Sequence, residues 1–369
     1  MLQHKAYPCL EIDLNKFKAN VAAVKERCDA AGISVCGIVK GYWADPKLTK
    51  IVAEAGFAQM GSSRLSQIDE MRQMGIKGPF MLIRIPMLSE LRDVAELCDY
   101  SLQSSVEALQ ALNDECLIAG RKHKVVIMVD LGDLREGIWD KETAVAAAVH
   151  AEKDLPMLTV AGIATYLGCY GSIMATPQKM ADLVDIAETI EEAIGRKLEM
   201  VSGGGSNAYM LIEEGCMPEG MNHLRLGEIY SAPYTGLENY DLVGKVPHID
   251  SDVFTLKAEI VEVESKPSYP QGVFGKCEWG DVEGNRYVDR GIRKRAVLAI
   301  GRADCAQPER LRPRLKGVEI LGASSDHTIL DIEDCTKDLH VGDVLEFGLE
   351  YSTMLSLTGA RDVLKVYKE

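Results

Sequence analysis

Lys40 closes the apolar run Val35-Cys36-Gly37-Ile38-Val39, and a lysine delivered at the end of such a run is a candidate nucleophile. An apolar surround disfavours the ammonium form, so the amine's pKa falls and it becomes able to attack an aldehyde. A lysine that only snorkels out of a strand end would show the same local pattern. A second feature is Ser202-Gly203-Gly204-Gly205-Ser206, followed by a helical stretch. It gathers backbone N–H groups at a helix start, which is how phosphate is commonly held, and Gly227 after Arg225 offers a further close amide. A glycine run also makes an ordinary tight turn. Arg135 and Arg225 add two permanent charges, and a buried arginine needs an acceptor or an anion. For Arg135 the neighbours Asp133 and Glu136 could supply one. Taken together, a reactive lysine, a phosphate cradle and two arginines fit pyridoxal phosphate better than a phosphorylated sugar.

The elements that must position these groups follow a regular rhythm. Short β-branched or apolar runs at 34–40, 57–63, 80–86, 100–105, 124–130, 158–167, 198–204 and 223–227 alternate with stretches of helical period such as 63–75 and 178–195. Eight strand–helix units predict a (β/α)8 TIM-type barrel. A doubly wound open sheet competes, but no Gly-x-Gly-x-x-Gly stands at the first turn. In a barrel the chemistry sits where strands end. That rule places Lys40, Ser62, Ser63, Arg84, Ser104, Ser105, Arg135, Tyr166, Ser202 to Ser206 and Arg225 around one mouth, with the glycine run on the loops that most often hold phosphate. The chain opens with a strand from Tyr7 to Ile12, and Asp13 is a candidate cap for a helix running to about Ala31. From about residue 250 the pattern turns to alternating segments separated by Gly, Pro and Asp, which predicts an antiparallel β domain. The expected division is a cofactor-binding barrel over 13–240 and a β domain built from 1–12 and 241–369.

Composition narrows the classes further. The 369 residues carry 41 Lys and Arg against 56 Asp and Glu, a formal charge of −15, which argues against a nucleic-acid partner. The local run Arg290, Arg293, Lys294 and Arg295 reads as a solvated strand edge. The ten cysteines include no Cys-x-x-Cys pair and no accompanying histidine spacing, so neither a metal site nor a disulfide framework is expected. Reduced thiols predict a cytoplasmic protein. No stretch approaches the ~18–20 apolar residues that span a bilayer, so no membrane association is expected.

With these blocks in order, the chain resembles the fold-type-III pyridoxal-phosphate enzymes, and within them the alanine/ornithine racemase group. The resemblance covers essentially the whole length and lies in Cys36–Gly41, Val129–Gly137, Gly162–Leu167, Ser202–Ser206, Leu224–Glu228 and Leu349–Ser352. It implies that Lys40 holds the cofactor as a Schiff base, that Arg135 faces its phenolic oxygen, and that Tyr166 stacks on its ring. It implies phosphate contacts from Ser202, Gly204, Gly205, Ser206, Gly227 and Tyr351, and an arginine, Arg225, at the pyridine nitrogen. Arg135, Ser325 and Asp326 become candidate substrate contacts. The blocks 84–90, 128–139, 289–304 and 319–334 resemble ornithine racemases in particular, so the implied reaction is interconversion of the L and D forms of ornithine or another basic amino acid. A homodimer sharing its active sites is implied as well. An arginine cannot protonate the pyridine nitrogen, so the ring is a weaker electron sink, which suits reprotonation over side chemistry.

The sequence departs from that family in several places. Phe274 stands near the position of the usual second-base tyrosine and cannot move a proton. Cys169 and Tyr269 are the replacement candidates, with Tyr170 and His327 behind them. Met128 takes the place of a lysine that some members carbamylate. Tyr42 and Trp43, just after Lys40, either line the substrate cavity or pack in the core. A distal ammonium would need a carboxylate, and Asp45, Asp133 and Glu228 are candidates. A decarboxylase of a basic amino acid and a non-catalytic cofactor-binding protein are the rival readings.

Overall fold

A computed structural model of the chain describes residues 6–231, 249–275 and 287–369, so the expected domain boundary at 240/241 lies outside the described residues. Two compact units emerge, one holding Phe17–Ser231, the other the residues up to Lys16 together with Asp250–Glu369.

Strand β1 (Cys9–Asp13) opens the chain and helix α1 (Leu14–Ala30) follows, with the Asp13 carboxylate accepting the Lys16 N–H at 2.9 Å. Eight parallel strands then close on themselves: β2 (Ser34–Ile38), β3 (Gln59–Ser62), β4 (Phe80–Leu82), β5 (Tyr100–Gln103), β6 (His123–Met128), β7 (Leu158–Ala164), β8 (Met200–Ser202) and β9 (His223–Leu226). The expected barrel is therefore present. Its seam is the β2–β9 pairing, from Ser34 opposite His223 to Gly37 opposite Leu226. The helices after the strands are α2 (Pro46–Glu54), α3 (Leu65–Gln73), α4 (Leu91–Leu97), α5 (Val106–Ala119), α6 (Lys141–Lys153), α7 (Pro177–Ile194), α8 (Ser206–Glu213) and α9 (Glu228–Ser231).

Local chemistry sets where these helices start and stop. Asp45, Asp140 and Thr176 each accept backbone N–H groups of the first turn, satisfying donors that no intrahelical carbonyl can reach. Gly120 and Gly195 end α5 and α7 in the left-handed conformation that glycine adopts without steric cost. The barrel interior is packed with Cys36, Ile38, Met81, Leu102, Val126, Met128, Ala164 and Met200, so it is a core and not a pore. Met128 is fully buried there.

The second unit is an antiparallel sheet in the order β12 (Arg312–Pro313), β15 (Val344–Gly348), β10 (Phe254–Pro267), β11 (Ile292–Leu298), β14 (Thr328–Asp331), β13 (Glu319–Ala323). Strand β1 pairs with β10 and, in parallel, with β16 (Leu364–Lys368); helix α10 (Tyr351–Gly359) precedes β16. Three of the four basic residues on and before β11 are paired with carboxylates of the same unit. Arg290 pairs with Glu319, Arg293 with Asp331 and Asp334, and Lys294 with Asp338, while Arg295 donates to the Ser268 carbonyl. No helix among the described residues is long and apolar enough to cross a membrane.

Candidate active site

Lys40 leaves β2 at the start of a single 3-10 turn, Lys40–Tyr42. The turn is pinned by the Val39 N–H donating to the Gly61 carbonyl at 3.0 Å and by the Trp43 N–H donating back to Lys40 at 3.2 Å. Trp43 and Ala44 both have φ of 53°, a left-handed pair without glycine. Strain of this kind persists only where the surroundings over-determine it, and it holds the lysine at a fixed exit angle. Tyr42 is fully buried and packs edge-on against Phe17 with ring centroids 5.6 Å apart, whereas Trp43 is 45% exposed. Of the two open readings for Tyr42, core packing is the one the structure takes. Burial pushes the Lys40 amine below the ordinary lysine range, with Arg135, Glu228 and Glu136 among the charged groups that act on it.

Three side chains from β9 and from the segments after β6 and β7 come together around Tyr166. Tyr166, just past β7, has the Arg135 guanidinium 4.6 Å from its ring centroid and the Arg225 guanidinium at 5.8 Å. Each cation gains from the ring's negative face. Arg135 is also tied to Glu136, its Nη2 donating to Oε1 at 2.5 Å, so its nearby carboxylate and its place in the stack coexist. Arg225 is 4% exposed, and burial lowers its pKa to about 10.

What holds Arg225 is neutral. Its Nη1 donates to Ser202 Oγ at 2.6 Å and its Nη2 to the Thr165 carbonyl at 2.7 Å. Ser202 in turn lies 2.8 Å from His223 Nδ1, and His223 Nε2 lies 3.0 Å from Gln59 Oε1. The amide oxygen can only accept, so Nε2 carries the ring proton and Nδ1 accepts from the serine hydroxyl. Burial, then Arg225, lowers the His223 pKa to about 3, consistent with that neutral tautomer. In this relay the hydroxyl of Ser202, a residue expected among the phosphate contacts, is fully buried and engaged by Arg225 and His223. His223 and Gln59 were not among the expected site residues. The signal available was that His223 and Arg225 are two apart on one strand and so share a face.

The glycine run keeps the cradle open. A Cβ on Gly205 would come within 2.8 Å of Tyr166 Oη and 2.9 Å of its ring, and Gly204 has φ of 115°. Helix α8 begins immediately after, and Gly205 supplies no side-chain cap, so the first-turn N–H groups have no side-chain acceptor. Ser206 Oγ accepts the Ile229 N–H at 3.0 Å, which ties the loops after β8 and β9 together. Gly227 packs close to the end of β2, where a Cβ would lie 3.0 Å from the Ile38 carbonyl.

The remaining expected residues divide by place. Arg84 is paired with Glu90 and donates to the Ser63 carbonyl, and Ser62 donates to Gln67. Ser105 caps α5 and Ser104 is half-buried beside it. These mouth residues hold loops and do not join the lysine. Asp133 accepts backbone N–H groups from Gly168, Cys169, Tyr170 and Ile173. Burial alone would raise its pKa, yet those four donors hold it below the usual carboxylate range. It shapes the loop that carries Cys169, whose side chain is exposed. Asp45 caps α2. Tyr269 lies in the other unit in an aromatic group with Phe274 and Tyr287, and Tyr351 begins α10. Ser325 Oγ donates to Asp326 Oδ2 at 2.5 Å between β13 and β14. Among the described residues no cluster of three or more His, Cys, Asp or Glu side chains could hold a metal ion.

Comparison with known proteins gives consistent relatives. A family model described as alanine racemase, N-terminal domain, matches residues 12–231. A lysine racemase of Thermotoga maritima is 37% identical over 98% of this chain and 99% of its own length. An ornithine racemase of Acetoanaerobium sticklandii is 36% identical over 95% of this chain and 96% of its own. The crystal structure of an alanine racemase from Streptomyces lavendulae superposes with a TM-score of 0.74 at 20% identity, covering 99% of this chain and 98% of that one.

Proposed function

The chain belongs to the alanine racemase family, and from that membership we propose that it is a pyridoxal-phosphate-dependent racemase acting on a basic amino acid, lysine or ornithine. The observation that carries the reading is the desolvated Lys40 at the barrel mouth with the Arg135–Tyr166–Arg225 stack beyond it.

The residues fit the cofactor. Gly205 lets the loop pass close to Tyr166, where a Cβ would clash, and the uncapped start of α8 presents backbone donors suited to a phosphate. Tyr166 offers a ring face and Arg225 a donor that no carboxylate neutralises among the described residues. When bound, pyridoxal phosphate supplies an aldehyde for amine capture and an electron sink that acidifies the substrate's Cα–H.

Lys40 is the cofactor's anchor and, once released, the group that moves the proton on one face of Cα. Its lowered pKa leaves the amine closer to neutral and so competent to accept that proton. Arg135, held by Glu136 and Tyr166, is placed to pair with an anionic oxygen of the cofactor or the substrate carboxylate. Arg225 stays protonated, because its neutral partners cannot take its proton; this keeps the sink weak and favours return of the proton over loss of carbon dioxide. We assign the opposite-face proton to Cys169, which sits within electrostatic range of Lys40, with Tyr269 as the alternative. The functional unit in this proposal is a cytoplasmic homodimer.

The test is to incubate purified holoenzyme with single-enantiomer lysine, ornithine, alanine and norleucine in deuterium oxide. Chiral separation showing both enantiomers, deuterated at Cα, for the basic pair supports the proposal. Release of carbon dioxide without inversion would replace it with a decarboxylase, and cofactor binding without exchange on any substrate would replace it with a binding protein.

A further inference from the structure

Three carboxylates could receive a distal ammonium, and two of them are committed elsewhere. Asp45 is 2% exposed and accepts the Lys47 and Leu48 N–H groups at the start of α2. Asp133 is spent on four amides of the loop 168–173. Glu228 differs from both.

Its backbone is fixed at the seam of the barrel. Gly37 on β2 lies opposite Leu226 on β9, so the two strands deliver Lys40 and Glu228 from adjacent exits. The single Tyr230 hydroxyl proton is shared between the Leu226 carbonyl at 2.7 Å and the Ile38 carbonyl at 2.9 Å, linking both exits. Ser231 Oγ bonds the Gly227 carbonyl at 2.8 Å and the Ile229 N–H bonds Ser206 Oγ, so the turn is held from both sides. The carboxylate reaches the electrostatic neighbourhood of Lys40 and of Tyr166, yet no side chain or backbone group among the described residues hydrogen-bonds it. Burial pushes its pKa up to about 7, with Lys40 pulling in the opposite direction. A half-buried carboxylate without its own donor gains from a cation that replaces water there.

We propose that Glu228 is the specificity-determining residue of this site, accepting the distal ammonium of a diamino-acid substrate. The inference rests on the racemase reading and names the residue through which that reading selects its substrate class. A neutral side chain of the same length, as in norleucine, leaves Glu228 unpaired and is disfavoured. A substrate with a distal ammonium provides the donor and favours the ionised form.

The experiment compares wild type with Glu228→Gln and Glu228→Asp on lysine and norleucine. A charge-assisted hydrogen bond lost on one substrate only should lower the lysine-to-norleucine ratio of kcat/KM in Glu228→Gln by roughly 10- to 100-fold. The aspartate variant should recover part of that ratio. Calorimetric titration with α-methyllysine and α-methylnorleucine, which have no Cα proton, should show the same change in relative affinity without turnover. An unchanged ratio in both measurements, with circular dichroism confirming the fold, overturns the proposal. An equal loss on both substrates with an altered pH profile would instead make Glu228 a proton partner of Lys40. If wild type racemises neither substrate, the racemase reading itself fails, which is a separate result.

Discussion

Replacing His223 by glutamine should flatten the acid limb of the protein's stability curve. In the folded protein His223 is neutral, with a pKa lowered to about 3 by burial and by Arg225. An unfolded histidine titrates near ~6.5. The depressed folded value means that its contribution is fully present above the unfolded pKa and is lost as pH falls toward the folded one. Between about pH 7.5 and about pH 5 the unfolded chain takes up nearly one proton at this residue while the folded chain takes up almost none, which integrates to about 2 kcal/mol of lost stability. Glu228 works in the other sense, because its folded pKa is raised to about 7 and it gains its proton in the folded state first. The total pH dependence is therefore a sum, and the difference between wild type and variant isolates the histidine. Urea unfolding at the two pH values, with wild type and His223→Gln side by side, reads it directly. The variant should lose about 2 kcal/mol less than wild type on acidification. Equal losses would mean that His223 is charged in the folded protein, and the relay from Gln59 through Ser202 to Arg225 would then be wrongly drawn. His123, lowered to about 4 by burial, provides a second and separate site for the same comparison.

The remaining predictions concern the cradle, the loop and the arginine. Gly205→Ala places a Cβ within 2.8 Å of Tyr166 Oη, so the stack must shift and pyridoxal phosphate should bind at least roughly tenfold more weakly by spectroscopic titration. Unchanged affinity would remove Gly205 from the cradle. Asp133→Asn weakens the acceptor for four backbone N–H groups and should cost about 1–3 kcal/mol in urea unfolding while lowering kcat. A stability loss below about 0.5 kcal/mol would show that the loop holds itself. Ser202→Ala leaves the Arg225 Nη1 and His223 Nδ1 without their shared partner and should also cost about 1–3 kcal/mol, with the larger kinetic effect on kcat. An effect confined to cofactor affinity would return Ser202 to the phosphate site.

Much of this arrangement is legible in the sequence because barrels couple strand order to function. Lys40 and Arg225 stand at ends of apolar runs, and once the rhythm of strands is read, both must reach the same mouth. The antiparallel unit is equally visible, since its period-2 segments are separated by turn residues. What escapes the sequence depends on partners far apart in the chain. Gln59, Ser202 and His223 meet only because β3, β8 and β9 converge within the barrel, so Ser202 next to a glycine run looks like a phosphate ligand. Arg84 has the right position to serve the site, but Glu90 six residues on captures it. Asp133 has a charge suited to an ammonium, and only the fold of the loop at 168–173 shows that its lone pairs are already taken. Glu228 is the reverse case: the sequence offers it beside Asp45 and Asp133 as a carboxylate for an ammonium, and its lack of a hydrogen-bond partner among the described residues, which separates it from them, shows only in the fold.

The central claim is that Lys40 is the cofactor's covalent anchor, facing the Arg135–Tyr166–Arg225 stack. Borohydride reduction of the holoenzyme followed by peptide mapping tests it most directly. The pyridoxyl-phosphate mass is expected on Lys40 within the peptide that spans Val35–Tyr42, and its loss in Lys40→Ala. The same mass on a different lysine, or none on any, would contradict it.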